Sequence, residues 1–248
     1  MKISLALSGG AARGAFHLGV IHALEKNGVG IGAISGTSIG AVIAVGVGSG
    51  VSAKEMLSIF KSKAFGRVFG FNALSKGFLK IKEDEPILKT IAPISRLEMM
   101  HIPTFVTCVD ALSGNVVRFG EGESIPLAIA SSALIPLFRP IAYEKYVLID
   151  GGFMDNLPIA PLLAYDYPVV SVDLFPLHVK KTSTPFSLYK RSLFLSFIAS
   201  SQAQKAKSDW YITDEKLASF GLFTFKELDA CFELGYTRGS EAILTFLA

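Results

Sequence analysis

The chain is 248 residues long, with half of its residues hydrophobic, only 18% charged and a mean hydropathy of +0.46. Disorder, collagen and coiled coil are excluded by that composition, and a formal net charge of +3 is far from a nucleic-acid-binding balance. Two cysteines, Cys108 and Cys231, make neither a disulfide framework nor a zinc site.

Taken in chain order, Ile3–Leu7 is an apolar run closed by Ser8-Gly9-Gly10. It is shorter than the apolar core of a signal peptide, about 7–15 residues, and reads as a buried parallel strand. Phe16, Val20, Ile21 and Leu24 recur at helical spacing, and Gly28 closes that helix. Residues 27–53 carry no charge, which is long enough for a membrane span. Eight glycines and the hydroxyls of Ser35, Thr37, Ser38, Ser49 and Ser52 favour a strand, a tight turn and a buried helix instead. Ala33–Ser35 is that strand, and the helix runs from about Ile39 to Val47.

Pro86 opens a helix through Ile91, and Phe105–Asp110 and Val116–Phe119 flank the hairpin signal Ser113-Gly114-Asn115. Ala128–Ala133, Val147–Ile149 and Val169–Asp173 continue the alternation of helices and strands. Two long helical patterns, about 187–207 and 225–247, enclose the strand-like Trp210–Thr213. The expectation is one α/β domain over 1–248, with a mostly parallel central sheet covered on both faces.

Gly36-Thr37-Ser38-Ile39-Gly40 matches G-x-S-x-G, a strand-to-helix elbow that exposes a serine at a helix N-terminus. Ser8-Gly9-Gly10-Ala11-Ala12-Arg13-Gly14 is a loop of small residues whose bare N–H groups can hold an anion. It is not a dinucleotide loop, because position 11 is Ala and no acid lies between Glu25 and Glu55; it also lacks the Lys-Ser/Thr of a phosphate loop. An oxyanion hole for a tetrahedral intermediate on Ser38 is the remaining role.

The base is less obvious. His17, His22 and His101 read as packing or surface residues, and only His178, after Asp173, suits the order Ser…Asp…His. Asp150-Gly151-Gly152, at the end of the apolar run 146–149, is the better candidate, with Asp155 as the rival carboxylate. A carboxylate beside a buried serine acts as a direct base once desolvation raises its pKa. Two S-x-x-K matches, at Ser58 and Lys61 and at Ser187 and Lys190, lack the partner motifs of a β-lactamase.

With these motifs in place, the chain resembles the patatin-like phospholipases, most closely their bacterial single-domain members. The match rests on the Gly-rich loop 8–15, G-T-S-I-G at 36–40 and D-G-G at 150–152, with flanking Ala130-Ser131-Ser132-Ala133, Pro136 and Asp155-Asn156-Leu157-Pro158. It covers roughly 1–175 well and the C-terminal third only in style. The resemblance implies a three-layer α/β/α sandwich and a Ser-Asp dyad without histidine, with Ser38 as nucleophile and Asp150 as base. It further implies an oxyanion hole at Gly9, Gly10 and Ala11, braced by Arg13, and motif glycines at Gly14, Gly36, Gly40, Gly151 and Gly152. Ala11 stands where the family usually has a third glycine; it is tolerable there if its φ is negative.

The implied activity is lipid acyl hydrolysis of the phospholipase A or lysophospholipase type, through an acyl-serine ester, with no cofactor and no metal. An acyltransferase on the same dyad and a non-catalytic lipid-binding module are the alternatives, as is a Ser-His-Asp esterase using His178. Residues 61–82 carry Lys61, Lys63, Arg67, Lys76, Lys80 and Lys82 among four phenylalanines and no acid, a candidate basic, aromatic lid. A second acid-free stretch, 174–208, reinforces the expectation of peripheral contact with a lipid surface. With no export signal, the expected location is the cytoplasm, peripheral at the inner membrane face; leaderless secretion would leave the same sequence.

Overall fold

A computed structural model describes residues 1–70, 80–81, 85–177 and 184–247. In chain order the strands are β1 (Lys2–Leu7), β2 (Gly30–Thr37), β3 (Phe69–Gly70), β4 (Lys80–Ile81), β5 (Thr104–Asp110), β6 (Val116–Phe119), β7 (Ile141–Tyr143), β8 (Tyr146–Asp150), β9 (Val169–Val172) and β10 (Trp210–Ile212). The helices are α1 (Gly14–Lys26), α2 (Ile39–Gly48), α3 (Ala53–Lys61), α4 (Lys63–Val68), α5 (Pro86–Ile91), α6 (Ser124–Ser131), α7 (Pro185–Lys205) and α8 (Leu228–Leu247).

The central sheet runs β10-β9-β1-β2-β5-β8-β7, with β6 also paired to β5. From β10 to β5 every pairing is parallel, and β6, β8 and β7 close the other edge antiparallel. The expected parallel sheet is therefore present, and the Ser113–Asn115 turn gives the expected β5–β6 hairpin. The antiparallel edge was not legible, because β8 is too short and too apolar for its periodicity to reveal its direction.

Alternation along β1 defines two faces. Ile3, Leu5 and Leu7 pack into the main core with α1, α2, α3 and α8, whereas Ala6 joins Ala33, Leu157, Ile159 and Leu162 on the opposite face. On that second face lie the 3-10 turns between Gly151 and Ala164 and the helix α7, which approaches the first of those turns. The architecture is α/β/α, as expected, with one layer mostly helical and the other largely built of tight turns. Ser52 caps α3 by a capping box with Glu55, a signal that marks a helix passed over by the hydrophobic pattern.

The C-terminal third is integral to this fold. β10 extends the sheet, Trp210 packs on Phe246 in a tilted pair with ring centroids 4.2 Å apart, and α8 lies along α1. The α1–α8 contact is backbone on backbone: a Cβ at Gly19 would come within 2.0 Å of the Phe232 carbonyl oxygen, and one at Gly235 within 2.1 Å of that of Phe16. Gly19→Ala is expected to destabilise by about 3 kcal/mol or more, because neither helix backbone can yield cheaply. Gly66→Ala, with nothing within 4 Å of its Cβ, serves as the control and leaves Tm unchanged or higher. Thermal unfolding of the two variants is the check.

Candidate functional site

Three strand ends meet at one level of the sheet. Thr37 on β2 pairs with Thr107 on β5, and the next residue of β5, Cys108, pairs with Asp150 on β8. Ser38 follows Thr37 directly, so the serine and the carboxylate flank β5 from either side. The Ser38 side chain comes near enough to the Asp150 carboxylate to lower its pKa, and both residues line one cavity. This pairing joins residues 112 positions apart, which sequence spacing could not reveal.

The elbow takes the conformation its motif demands. Ser38 has φ 54° and ψ −125°, a region that costs a non-glycine residue about 1–3 kcal/mol and persists only when its surroundings enforce it. The enforcement is visible. A Cβ at Gly36 would lie 2.2 Å from the Gly40 carbonyl oxygen, and one at Gly40 would lie 2.3 Å from that of Leu7. The Ser38 N–H donates to Ser131 Oγ at 2.8 Å, and that hydroxyl donates to the Thr107 carbonyl at 2.6 Å. Ser131 thus ties the elbow to β5, a role that its place in the sequence did not announce. Behind Ser38, α2 points its N-terminus at the hydroxyl, where negative charge is favoured.

Asp150 is 2% exposed, and burial pushes its pKa up to about 7. The N–H of Gly152, at 2.8 Å from Oδ1, and the Ser38 hydroxyl pull the other way without cancelling the desolvation. Gly151 allows the turn that follows: its Cβ would lie 2.4 Å from the Thr107 carbonyl oxygen. Asp155, the rival, turns away to an ion pair with Arg118, whose Nε lies 2.9 Å from Oδ2, and its own carbonyl accepts from Thr37.

The Gly-rich loop divides its N–H groups. Gly9 donates to the Asn156 carbonyl at 3.3 Å, so this expected oxyanion donor is engaged by the fold itself. Among the described residues, the N–H groups of Gly10 and Ala11 have no partner, and both residues line the cavity described below. Ile39, the first residue of α2, likewise lines the cavity with an unpartnered N–H and was not foreseen as a donor. Ala11 has φ 50°, not the negative value a side chain prefers, so the loop carries strain at the position where a glycine would carry none.

Arg13 fastens the loop to the C-terminal third. Its guanidinium donates to the carbonyls of Phe220, Leu174 and Ala218 and sits 5.8 Å from the Phe175 ring centroid. Burial lowers its pKa, yet guanidinium remains charged. Gly14 lets α1 start against α2, since its Cβ would lie 2.5 Å from Ile39 Cγ1. His17 is fully buried and held neutral, with its pKa down to about 4 by desolvation, and its Nε2 meets the Ser8 carbonyl at 2.8 Å. It anchors the loop from beneath and does not reach Ser38.

Ser38 and Asp150 open into a cavity of about 630 Å³. Its walls are apolar, chiefly phenylalanines such as Phe60, Phe65, Phe138, Phe175, Phe194 and Phe197. Among the described residues no histidine lines it, and no group of three or more His, Cys, Asp or Glu could hold a metal. Of the candidate lid 61–82, Phe65 and Val68 are buried, with Phe65 stacked on Phe60 at 4.6 Å, whereas Lys63 and Arg67 are exposed and Lys61 pairs with Asp229 at the surface at 2.6 Å. Phe71, Lys76, Gly77, Phe78 and Lys82 lie outside the described residues, as does His178.

A sequence model of the family described as patatin-like phospholipase matches residues 5–163. The lysophospholipase NTE1 of Mycosarcoma maydis is 31% identical over 179 residues, covering 66% of this chain and 9% of that protein. An uncharacterized NTE family protein of Mycobacterium bovis is 33% identical over 165 residues, covering 65% of this chain and 45% of that protein. The chain therefore spans less than half the length of these curated relatives. Among solved structures, VipD from Legionella pneumophila shares the fold, with a TM-score of 0.61 at 12% identity over 98% of this chain and 67% of that one.

The raised pKa of Asp150 has a stability consequence. A carboxyl that titrates near 7 when folded and near 3.8 when unfolded favours the fold fully only below the lower value. That contribution is lost as pH rises through about 7. Asp150→Asn, which keeps the shape without the charge, is expected to raise Tm at pH 8 and to raise it less at pH 5. Thermal melts at both values test this, and an equal gain at both would contradict it.

Proposed function

The chain belongs to the patatin-like phospholipase family, and from that premise we propose that it is a serine lipid acyl hydrolase of the phospholipase A or lysophospholipase type, working through a Ser38-Asp150 dyad. The observation that carries this reading is the juxtaposition of Ser38 and a desolvated carboxylate, on either side of β5, at a phenylalanine-walled cavity. Ser38 Oγ attacks the ester carbonyl as its proton passes to Asp150. The oxyanion is received by the N–H groups of Gly10 and Ala11, with Ile39 adding a third donor; each well-placed donor is worth roughly 3–4 kcal/mol. The intermediate collapses with transfer of the proton from Asp150 to the departing alcohol, leaving an acyl-Ser38 ester. Water, deprotonated by Asp150, then releases the fatty acid.

Arg13, in this reading, braces the oxyanion loop, and the apolar cavity receives the acyl chain. Phe223 and Phe225 line that cavity while 59% and 43% exposed, and Leu188, Tyr189 and Leu195 are exposed on α7. Such apolar exposure suits a protein that takes its substrate from a lipid surface by peripheral contact, with the single domain 1–248 acting as the catalytic unit. Among the described residues no helix is long and apolar enough to cross a membrane.

Labelling with a fluorophosphonate probe, followed by peptide mapping, is expected to place one adduct on Ser38. Asp150→Asn is expected to slow that labelling and to lower ester turnover by roughly 1,000-fold or more, while His178→Ala leaves both unchanged. Labelling of Ser38 that ignores Asp150 would overturn the dyad, and a chain that takes no label in the presence of lipid vesicles would be a binding module. Because Asp150 must be ionised to accept the proton, kcat/KM should rise with pH through about 7 and level off above it.

A further inference from the structure

Asn156 is completely buried yet lines the cavity, and its Oδ1 has no hydrogen-bond partner among the described residues. Its location is fixed from three sides. The backbone N–H donates to Ser200 Oγ at 2.9 Å, the carbonyl accepts from Gly9, and Nδ2 donates to Ser201 Oγ at 2.9 Å. With Nδ2 donating to Ser201 Oγ, Oδ1 lies at the other end of the amide, toward Gly9 and Gly152.

That oxygen stands between the two catalytic loops. A Cβ built on Gly9 would meet Asn156 Oδ1 at 2.7 Å and Ser38 Cβ at 3.2 Å; one built on Gly152 would meet Asn156 Oδ1 at 2.9 Å and Asp150 Oδ1 at 3.1 Å. The two glycines keep side chains out of the space where the amide oxygen, the serine and the carboxylate converge. A buried acceptor left without a donor is costly, a cost more readily retained where a reactant supplies the donor.

We infer that Asn156 is a positioning residue for deacylation, its Oδ1 accepting one hydrogen of the water whose other hydrogen goes to Asp150. The inference rests on the acyl-Ser38 reading above. In the step itself the water oxygen forms a bond to the acyl carbon and the bond from that carbon to Ser38 Oγ breaks. One water proton passes to Asp150 and on to Ser38 Oγ, and the second leaves with the fatty acid. The first half-reaction uses the proton of Ser38 and needs no acceptor at Asn156, so the two half-reactions separate the role from simple support of the fold.

The experiment follows both halves with a p-nitrophenyl fatty ester: the nitrophenol burst reports acylation, and intact-protein mass reports decay of the acyl adduct. Asn156→Ala is expected to slow decay by roughly 10- to 100-fold while the burst rate changes less than about threefold, so that acyl-enzyme accumulates. Ser201→Ala, which frees the amide to turn, is expected to slow decay in the same sense and carries the test should Asn156→Ala fail to fold. Equal loss in both halves, or unchanged decay, would overturn the role of Asn156 while leaving the hydrolase reading intact. A wild-type chain that forms no adduct on Ser38 would overturn both.

Discussion

The site depends on a close approach of three backbones. Gly40, at the start of α2, sits against the Leu7 carbonyl at the end of β1, while Gly36 on β2 sits against Gly40 itself. No Cβ fits at either position, and the chain between them is forced through a positive φ at Ser38. The strain is held in place by the parallel β1–β2 pairing on one side and by the Ser131 hydroxyl, reaching from α6 to β5, on the other. From that contact follow the aim of the serine, the direction of α2 and the place of the Gly-rich loop above it.

Electrostatics then follows from burial. Asp150 lies on a short antiparallel strand with Cys108 opposite and the cavity in front, and among the described residues no cation acts on its pKa. Desolvation alone raises that pKa, and on the proposed reading this makes the carboxylate a direct base for Ser38 without an intervening imidazole. Asp155, only five residues on, shows the contrast: its Arg118 partner opposes the effect of burial and holds it in a structural ion pair. The two carboxylates are separated in role by what faces them.

The region beyond residue 163 completes the site. Leu174, Ala218 and Phe220 provide the carbonyls that hold Arg13, α7 provides Ser200 and Ser201 behind Asn156, and Phe175, Phe194 and Phe197 form one wall of the cavity. These residues lie in the part of the chain with the weakest motif content. Their contributions are backbone carbonyls, hydroxyls and apolar bulk, which many residues can supply and which leave no spacing to recognise.

What the sequence determined by itself is what short-range sterics dictate. Glycines flanking Ser38, small residues after β1, an acid followed by two glycines, and alternating apolar runs each have few conformations open to them, so the elbow, the loop and the α/β class were readable. The tertiary structure decided the rest. It brought Ser38 and Asp150 to the same level of the sheet across β5, engaged the Gly9 N–H with Asn156, left the N–H groups of Gly10 and Ala11 free among the described residues, and imposed a positive φ on Ala11 that local preference opposes. It also set β8 antiparallel and laid α8 on α1 through glycines that read in sequence only as weak helix formers. Each of these outcomes depends on which distant backbone occupies the neighbouring space, and no local pattern carries that information.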